Sequence, residues 1–166
     1  MKRAWAIAML TWAVSVPARA QVTNQDTGAV FPTIQAAIDA AGFNETLVLD
    51  PGVYNEALVV NQVVTIEGAG VATITASSGY GVIDIPPTLG LTLRGVTLSS
   101  ATVRAINAQA GSGFALEDVV ITGTTTTGHG GGIYAPDTSG ITILDVTFQG
   151  TSATLDGGAI YVASDT

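Results

Sequence analysis

The sequence contains no cysteine, a single histidine and, past residue 20, no lysine. Each gap removes a class of explanation. Without cysteine no disulfides can staple the fold, so a continuous apolar core must hold it. With 47% hydrophobic residues over 166 positions there is enough material for one domain with such a core. The lone His129 has no acid or cysteine beside it, so it suggests neither a metal centre nor a catalytic triad, and no cofactor is expected. It lies in the stretch 124–132, rich in threonine and glycine, which is expected to project as a flexible loop without a fixed partner for the histidine. No lysine and no helix follow that glycine run, so it is not a phosphate loop. The Gly-Gly-x-Gly-x-Asp units of calcium ladders are absent as well.

The shortage of positive charge is sharper still. Past residue 20 only Arg94 and Arg104 stand against 13 carboxylates, a net charge of −11. Affinity for phosphate backbones rests on clustered Lys and Arg, so no nucleic-acid partner is expected, and tight binding to anionic lipid is disfavoured for the same reason. The acidity reads as self-repulsion that keeps a threonine-rich surface soluble.

Long apolar runs are missing too, apart from the start of the chain. Lys2 and Arg3 form a basic head, Ala4 to Val16 is apolar except for Thr11 and Ser15, and Pro17-Ala18-Arg19-Ala20 closes it. The small residues Ala18 and Ala20 before Gln21 complete the layout of a secretory signal peptide. The run is too short for a hydrocarbon core that needs roughly 20 residues, and no other segment could span a bilayer. The expected division is a signal peptide over 1–20, an N-terminal cap and first strands over 21–60, and repeats over 61–166. The expected location is outside the cytoplasm of a bacterium: secreted, on the cell surface or at the outer membrane.

What the chain does have is a repeat. Val64-Thr65-Ile66-Glu67-Gly68, Leu91-Thr92-Leu93-Arg94-Gly95, Phe114-Ala115-Leu116-Glu117-Asp118 and Ile141-Thr142-Ile143-Leu144-Asp145 align without gaps, with starts 27, 23 and 27 residues apart. Ile83, Ile106, Ile133 and Ile160 form a second series, of which the first three precede the later starts by eight residues. Two registers sharing one irregular spacing indicate a solenoid. The units alternate apolar and polar residues with a period of two, and Val, Ile, Thr and Leu dominate them, as in half-buried strands. Between paired strands one position reads Gly68, Gly95, Asp118 and Asp145, residue types that tolerate a left-handed backbone and so mark bends. A single helix is expected, with Thr33 as N-cap and Ile34, Ala37, Ile38 and Ala41 on one face before Gly42. It would cover the open end of the first coil. The fold class is therefore all-β: a parallel β-helix, right-handed by the crossover rule, with an N-terminal capping helix. Its last strand, Ile160-Tyr161-Val162, is not followed by the next bend pair, so the solenoid is expected to be incomplete at its C-terminal end.

Candidate chemistry is sparse. Glu67 and Glu117 share a column with Arg94 and are expected to pair with it across coils, a weak surface interaction. Asp118 and Asp145 sit in the bends. The residues following the isoleucine series, Asp84, Asn107, Tyr134 and Tyr161, should face outward in one column, where stacked tyrosines could grip a sugar ring or a protein.

The stretch Phe31-Pro32-Thr33-Ile34-Gln35-Ala36-Ala37-Ile38-Asp39-Ala40-Ala41, followed by Leu47-Val48-Leu49-Asp50-Pro51-Gly52-Val53-Tyr54-Asn55-Glu56, resembles the opening of right-handed β-helix proteins of the pectin-lyase-like superfamily. Val146-Thr147-Phe148-Gln149-Gly150-Thr151 with Gly157-Gly158-Ala159-Ile160-Tyr161 resembles the polymorphic outer-membrane-protein repeat, although Thr151 replaces the preferred Asn, and Gly131-Gly132-Ile133-Tyr134 is a weaker copy. These likenesses imply a surface protein, adhesin or autotransporter passenger, with carbohydrate or a host or cell-surface protein as partner. The superfamily also holds polysaccharide lyases, hydrolases and esterases, so fold alone does not decide function. The expectation is a non-catalytic exported β-helix without catalytic residues. The alternative is a polysaccharide-active enzyme whose catalytic coils lie beyond residue 166.

Overall fold

A computed structural model describes residues 20–100, 102–137 and 140–163. The expected signal segment, with Ala18 at its cleavage motif, lies outside the described residues. Ala20 is the first described residue, half-buried beside Gly52.

The chain opens with β1 (Val22–Asn24) and β2 (Val30–Phe31), an antiparallel pair, and then α1 (Ile34–Ala40). Thr33 caps α1 in an extended conformation, its hydroxyl accepting the Ala36 N–H at 3.1 Å. Two more of the helix's free N–H groups are satisfied from outside: Ile34 and Gln35 each donate to a Glu56 carboxylate oxygen at 3.0 Å. The apolar face buries Ile34, Ala37 and Ile38 against the first coil.

Five coils follow. The first is β3 (Glu45–Leu49), β4 (Gly52–Asn55) and β5 (Leu58–Val59). The second is β6 (Val64–Thr75) and β7 (Gly81–Ile85), and the third β8 (Gly90–Ser99) and β9 (Arg104–Ala108). The fourth is β10 (Gly113–Glu117), β11 (Val120–Thr122), β12 (Thr125–Thr126) and β13 (Ile133–Pro136). The fifth is β14 (Gly140–Leu144), β15 (Thr147–Gln149), β16 (Ser152–Ala153) and β17 (Ile160–Ala163). Equivalent strands pair in parallel from coil to coil, in the registers that the repeat spacing predicts: Val64 with Leu91, Leu91 with Phe114, Phe114 with Ile141. The chain is a parallel β-helix of about five turns, mostly strand, with one small helix at its start.

The core is built from columns, because residues on one face of every strand share one side of the coil. Leu47, Ile66, Leu93 and Leu116 stack in one fully buried column, and Leu58, Ile83, Ile106 and Ile133 in another. Each such side chain contributes about 1.5–3 kcal/mol on burial. At the first coil the stack is sealed in two ways. β1 runs antiparallel along the outer edge of β3. The Gln35 amide pairs with the edge of β5, its Nε2 donating to the Val59 carbonyl at 3.1 Å and its Oε1 accepting the Val59 N–H at 2.9 Å.

Three of the four expected bends are left-handed: Gly95 (φ 58°), Asp118 (φ 53°) and Asp145 (φ 51°). Gly68 is the exception and corrects the gap-free alignment. Glu67 faces Arg94 and Ala72 faces Val96, so residues 68–71 together stand against Gly95. The left-handed residues there are Ala69 (φ 47°) and Gly70 (φ 75°), while Gly68 is buried, where a Cβ would lie 2.4 Å from Val96 Cγ1. Glycine at 68 serves close packing instead of a bend.

The expected projecting loop over 124–132 is also only partly one. Thr124 is fully buried, β12 pairs with β16, and the Gly130, Gly131 and Gly132 N–H groups donate to carbonyls of coil five. A Cβ at Gly131 would sit 2.2 Å from the Ser152 carbonyl oxygen. The glycine run is there because two backbones meet.

Candidate functional site

β7, β9, β13 and β17 bring Asp84, Asn107, Tyr134 and Tyr161 into one column, each in register with the next. Alternation turns these residues away from the isoleucine column. The expected outward column holds for Asn107, Tyr134 and Tyr161, which are partly exposed, but not for Asp84. Asp84 is buried, at 8% exposure, and accepts a hydrogen bond from Asn107 Nδ2 at 2.8 Å. Burial raises its pKa above the ordinary carboxylate value; the bond from Asn107, the Tyr80 and Gly81 N–H groups and the charge on Arg104 act the other way.

Residues outside the expected set complete the site. Arg104 begins β9, and its guanidinium lies over the Tyr134 ring at 4.4 Å. Its Nη1 donates to Asn107 Oδ1 at 3.4 Å and its Nη2 to Thr126 Oγ1 at 3.3 Å, while the buried Nε has no partner. Among the described residues no carboxylate lies within ion-pair distance of Arg104. Burial lowers its pKa, with Tyr134 and Asp84 opposing, but a guanidinium remains charged. Tyr134 stacks on Tyr161 at 5.4 Å with ring planes 9° apart, and His129 stacks on Tyr161 at 4.5 Å.

His129 is therefore not the unpartnered loop residue expected. Its Nδ1 accepts the Asp156 N–H at 3.1 Å and lies 3.3 Å from Asp156 Oδ2. The missing signal was the period itself, because Asp156 follows His129 by 27 residues. In a solenoid, that separation means adjacency.

The second cluster is the expected one. Arg94 Nη1 lies 3.1 Å from Glu67 Oε1, and its Nε 2.9 Å from Glu117 Oε2. Hydrogen bonds that the guanidinium donates to Glu67 and then to Glu117 raise the arginine's pKa further. The three line an open groove of about 330 Å³ with Val48, Ala69, Gly95 and Asp118.

Chemically, both clusters are cross-coil ladders. The backbones of Glu67 and Glu117 are two coil spacings apart, ~9.6 Å, and their carboxylates are both occupied by the one guanidinium between them. Asp84 and Asp156 lie in coils two and five, at least ~14 Å apart along the axis, beyond the ~5–9.5 Å of a glycosidase carboxylate pair. Glu45 and Glu56 are committed to the cap: Glu45 accepts from Asn24 Nδ2 at 2.7 Å and from the Gly42 N–H at 2.8 Å. Among the described residues no group of three His, Cys, Asp or Glu could hold a metal ion, and no helix is long and apolar enough to cross a membrane. No family model matches the chain, and no curated protein or solved structure matches it.

Proposed function

We propose that this chain is a non-catalytic, exported scaffold of the adhesin or autotransporter-passenger type, built on the pectin-lyase-like pattern with polymorphic-outer-membrane-protein repeats in its last third. It engages a carbohydrate or a cell-surface protein through the tyrosine end of the column, Tyr134 and Tyr161, with Asn107 beside them and the buried Asp84 holding Asn107 in place. One observation carries this reading: the paired ionisable side chains bind across coils, and the two glutamates of the open groove are both held by the one arginine between them. Arg94 clasps Glu67 and Glu117, and His129 meets Asp156. Such stitching stiffens a stalk, and the Tyr134–Tyr161 stack offers an aromatic, polar-tipped contact on its flank.

The test has two arms. The full chain is incubated with charged and neutral polysaccharides while new reducing ends and unsaturated products are followed, and it is screened for binding to immobilised glycans and cell-surface proteins. No turnover is expected, together with binding that Tyr161→Ala abolishes while circular dichroism stays unchanged. Turnover that disappears in Glu67→Gln or Glu117→Gln would make the chain an enzyme.

A further inference from the structure

The second strand of each coil carries two outward columns: Val53, Thr73, Thr97, Val120 and Thr147 in one, and Asn55, Thr75, Ser99, Thr122 and Gln149 in the other. Three features set this face apart from the rest of the molecule. None of its ten positions is charged, on a chain of net −11 past residue 20, and none is aromatic. The six hydroxyls of Thr73, Thr75, Thr97, Ser99, Thr122 and Thr147 are at least partly exposed, and among the described residues none has a hydrogen-bond partner. Seven of the positions are Val or Thr, whose β-branching stiffens χ1 and restricts where their methyl and hydroxyl groups can lie.

These features narrow the ligand. A phosphate or sulfate polymer would need cations, and none is present. A sugar surface is gripped by aromatic faces and amides, yet this face has no ring and carries amides only at its two ends. What the face does offer is a backbone-spaced grid in which six of the ten positions carry a hydroxyl, five of them threonines with a methyl group beside it, and Val53 and Val120 add further methyl groups. Parallel pairing spaces the grid at ~4.8 Å along the solenoid axis, and alternate residues space it at ~6.6 Å along the strands. Tetrahedral water at an O–H···O separation of ~2.75 Å has second neighbours ~4.5 Å apart and an axial repeat of ~7.3 Å. The two grids agree to within about a tenth in both directions.

We propose that this uncharged threonine face binds an ordered water lattice, the surface of ice. The hydroxyls take lattice positions while the methyl groups seat the water between them. The site is separate from the tyrosine column and does not depend on the function proposed above.

Ice affinity tests it directly. The fluorescently labelled full chain is placed in solution around a slowly grown ice hemisphere, beside a labelled acidic protein of similar size. The chain is expected to enter the ice while the control is excluded, and crystals held just below melting should become faceted. Thr97→Lys and Thr122→Lys, each placing one exposed charge mid-face, are expected to lose incorporation with circular dichroism and melting unchanged. Thr65→Lys, on the neighbouring face, is expected to retain it. Exclusion of the wild-type chain overturns the proposal on its own, whatever the variants do. Incorporation that survives both mid-face lysines, or is lost equally with Thr65→Lys, overturns it as well.

Discussion

Gly95 explains why the bend column does not read the same residue in every coil, and it can be tested quantitatively. Its backbone is left-handed, and an added Cβ would lie 3.1 Å from both the Ala69 and Gly70 nitrogens, because the four-residue bulge 68–71 arches over it. Asp118 and Asp145 have the same backbone but no bulge above them, so a side chain fits. Gly95→Ala therefore meets two costs. A left-handed non-glycine residue costs ~1–2 kcal/mol, and crowding against backbone that cannot rotate away adds about 1 kcal/mol. The total of about 2–3 kcal/mol corresponds to a fall in melting temperature of about 4–12 °C for a chain of this size. Asp118→Gly releases the first cost but gives up some chain stiffness, for a net gain under ~1 kcal/mol. Thermal unfolding by circular dichroism, repeated with urea midpoints, reads both. If Gly95→Ala melts with the wild type, or if Asp118→Gly is the more damaging change, the bulge does not dictate the glycine and the account of the bend column is wrong.

Two further outcomes are expected. Glu56→Ala removes the carboxylate that accepts the Ile34 and Gln35 N–H groups; a cost of about 1–3 kcal/mol should appear as faster hydrogen exchange over 34–40, and unchanged exchange there would refute the cap. Asp84 tests pH linkage. Its folded pKa is raised, so the folded chain holds the proton more tightly than the unfolded one, and stability falls as pH rises from the ordinary carboxylate value through the raised one. Asp84→Asn retains an acceptor for Asn107 and removes that penalty, so it should melt above wild type at neutral pH, with the gap closing in acid. A gap that stays constant with pH would show that burial of the charge is not the cause.

Much of the architecture is legible in one sequence because a solenoid writes its contacts at a fixed interval. The spacings of 27, 23 and 27 residues correspond to the pairing registers, and Thr33 with its apolar i, i+3, i+4 pattern marks the cap. Legibility fails where the interval is locally broken or where partners lie a full period apart. The insertion 68–71 is hidden because Gly68 aligns with Gly95 by letter, although Ala72-Thr73-Ile74-Thr75 repeats the pattern of Val96-Thr97-Leu98-Ser99. The sequence neighbours of His129 carry no trace of its partners, because Asp156 and Tyr161 lie about one period away. Arg104 gives no signal of its own, since a cation over Tyr134 is a matter of side-chain direction that spacing does not encode. Glu56 lies 22 residues from the helix it caps and belongs to no repeat.

The Gln35 amide lying along β5 has a consequence for every coil after it. A stack of similar turns has no intrinsic first member, and any turn could slide to pair with any other. A side chain that occupies both backbone groups of Val59 denies the first turn a partner on one side, so the count begins there. Each later strand then takes its address by distance from that point. A one-residue slip would put the whole isoleucine column outside and the tyrosines within.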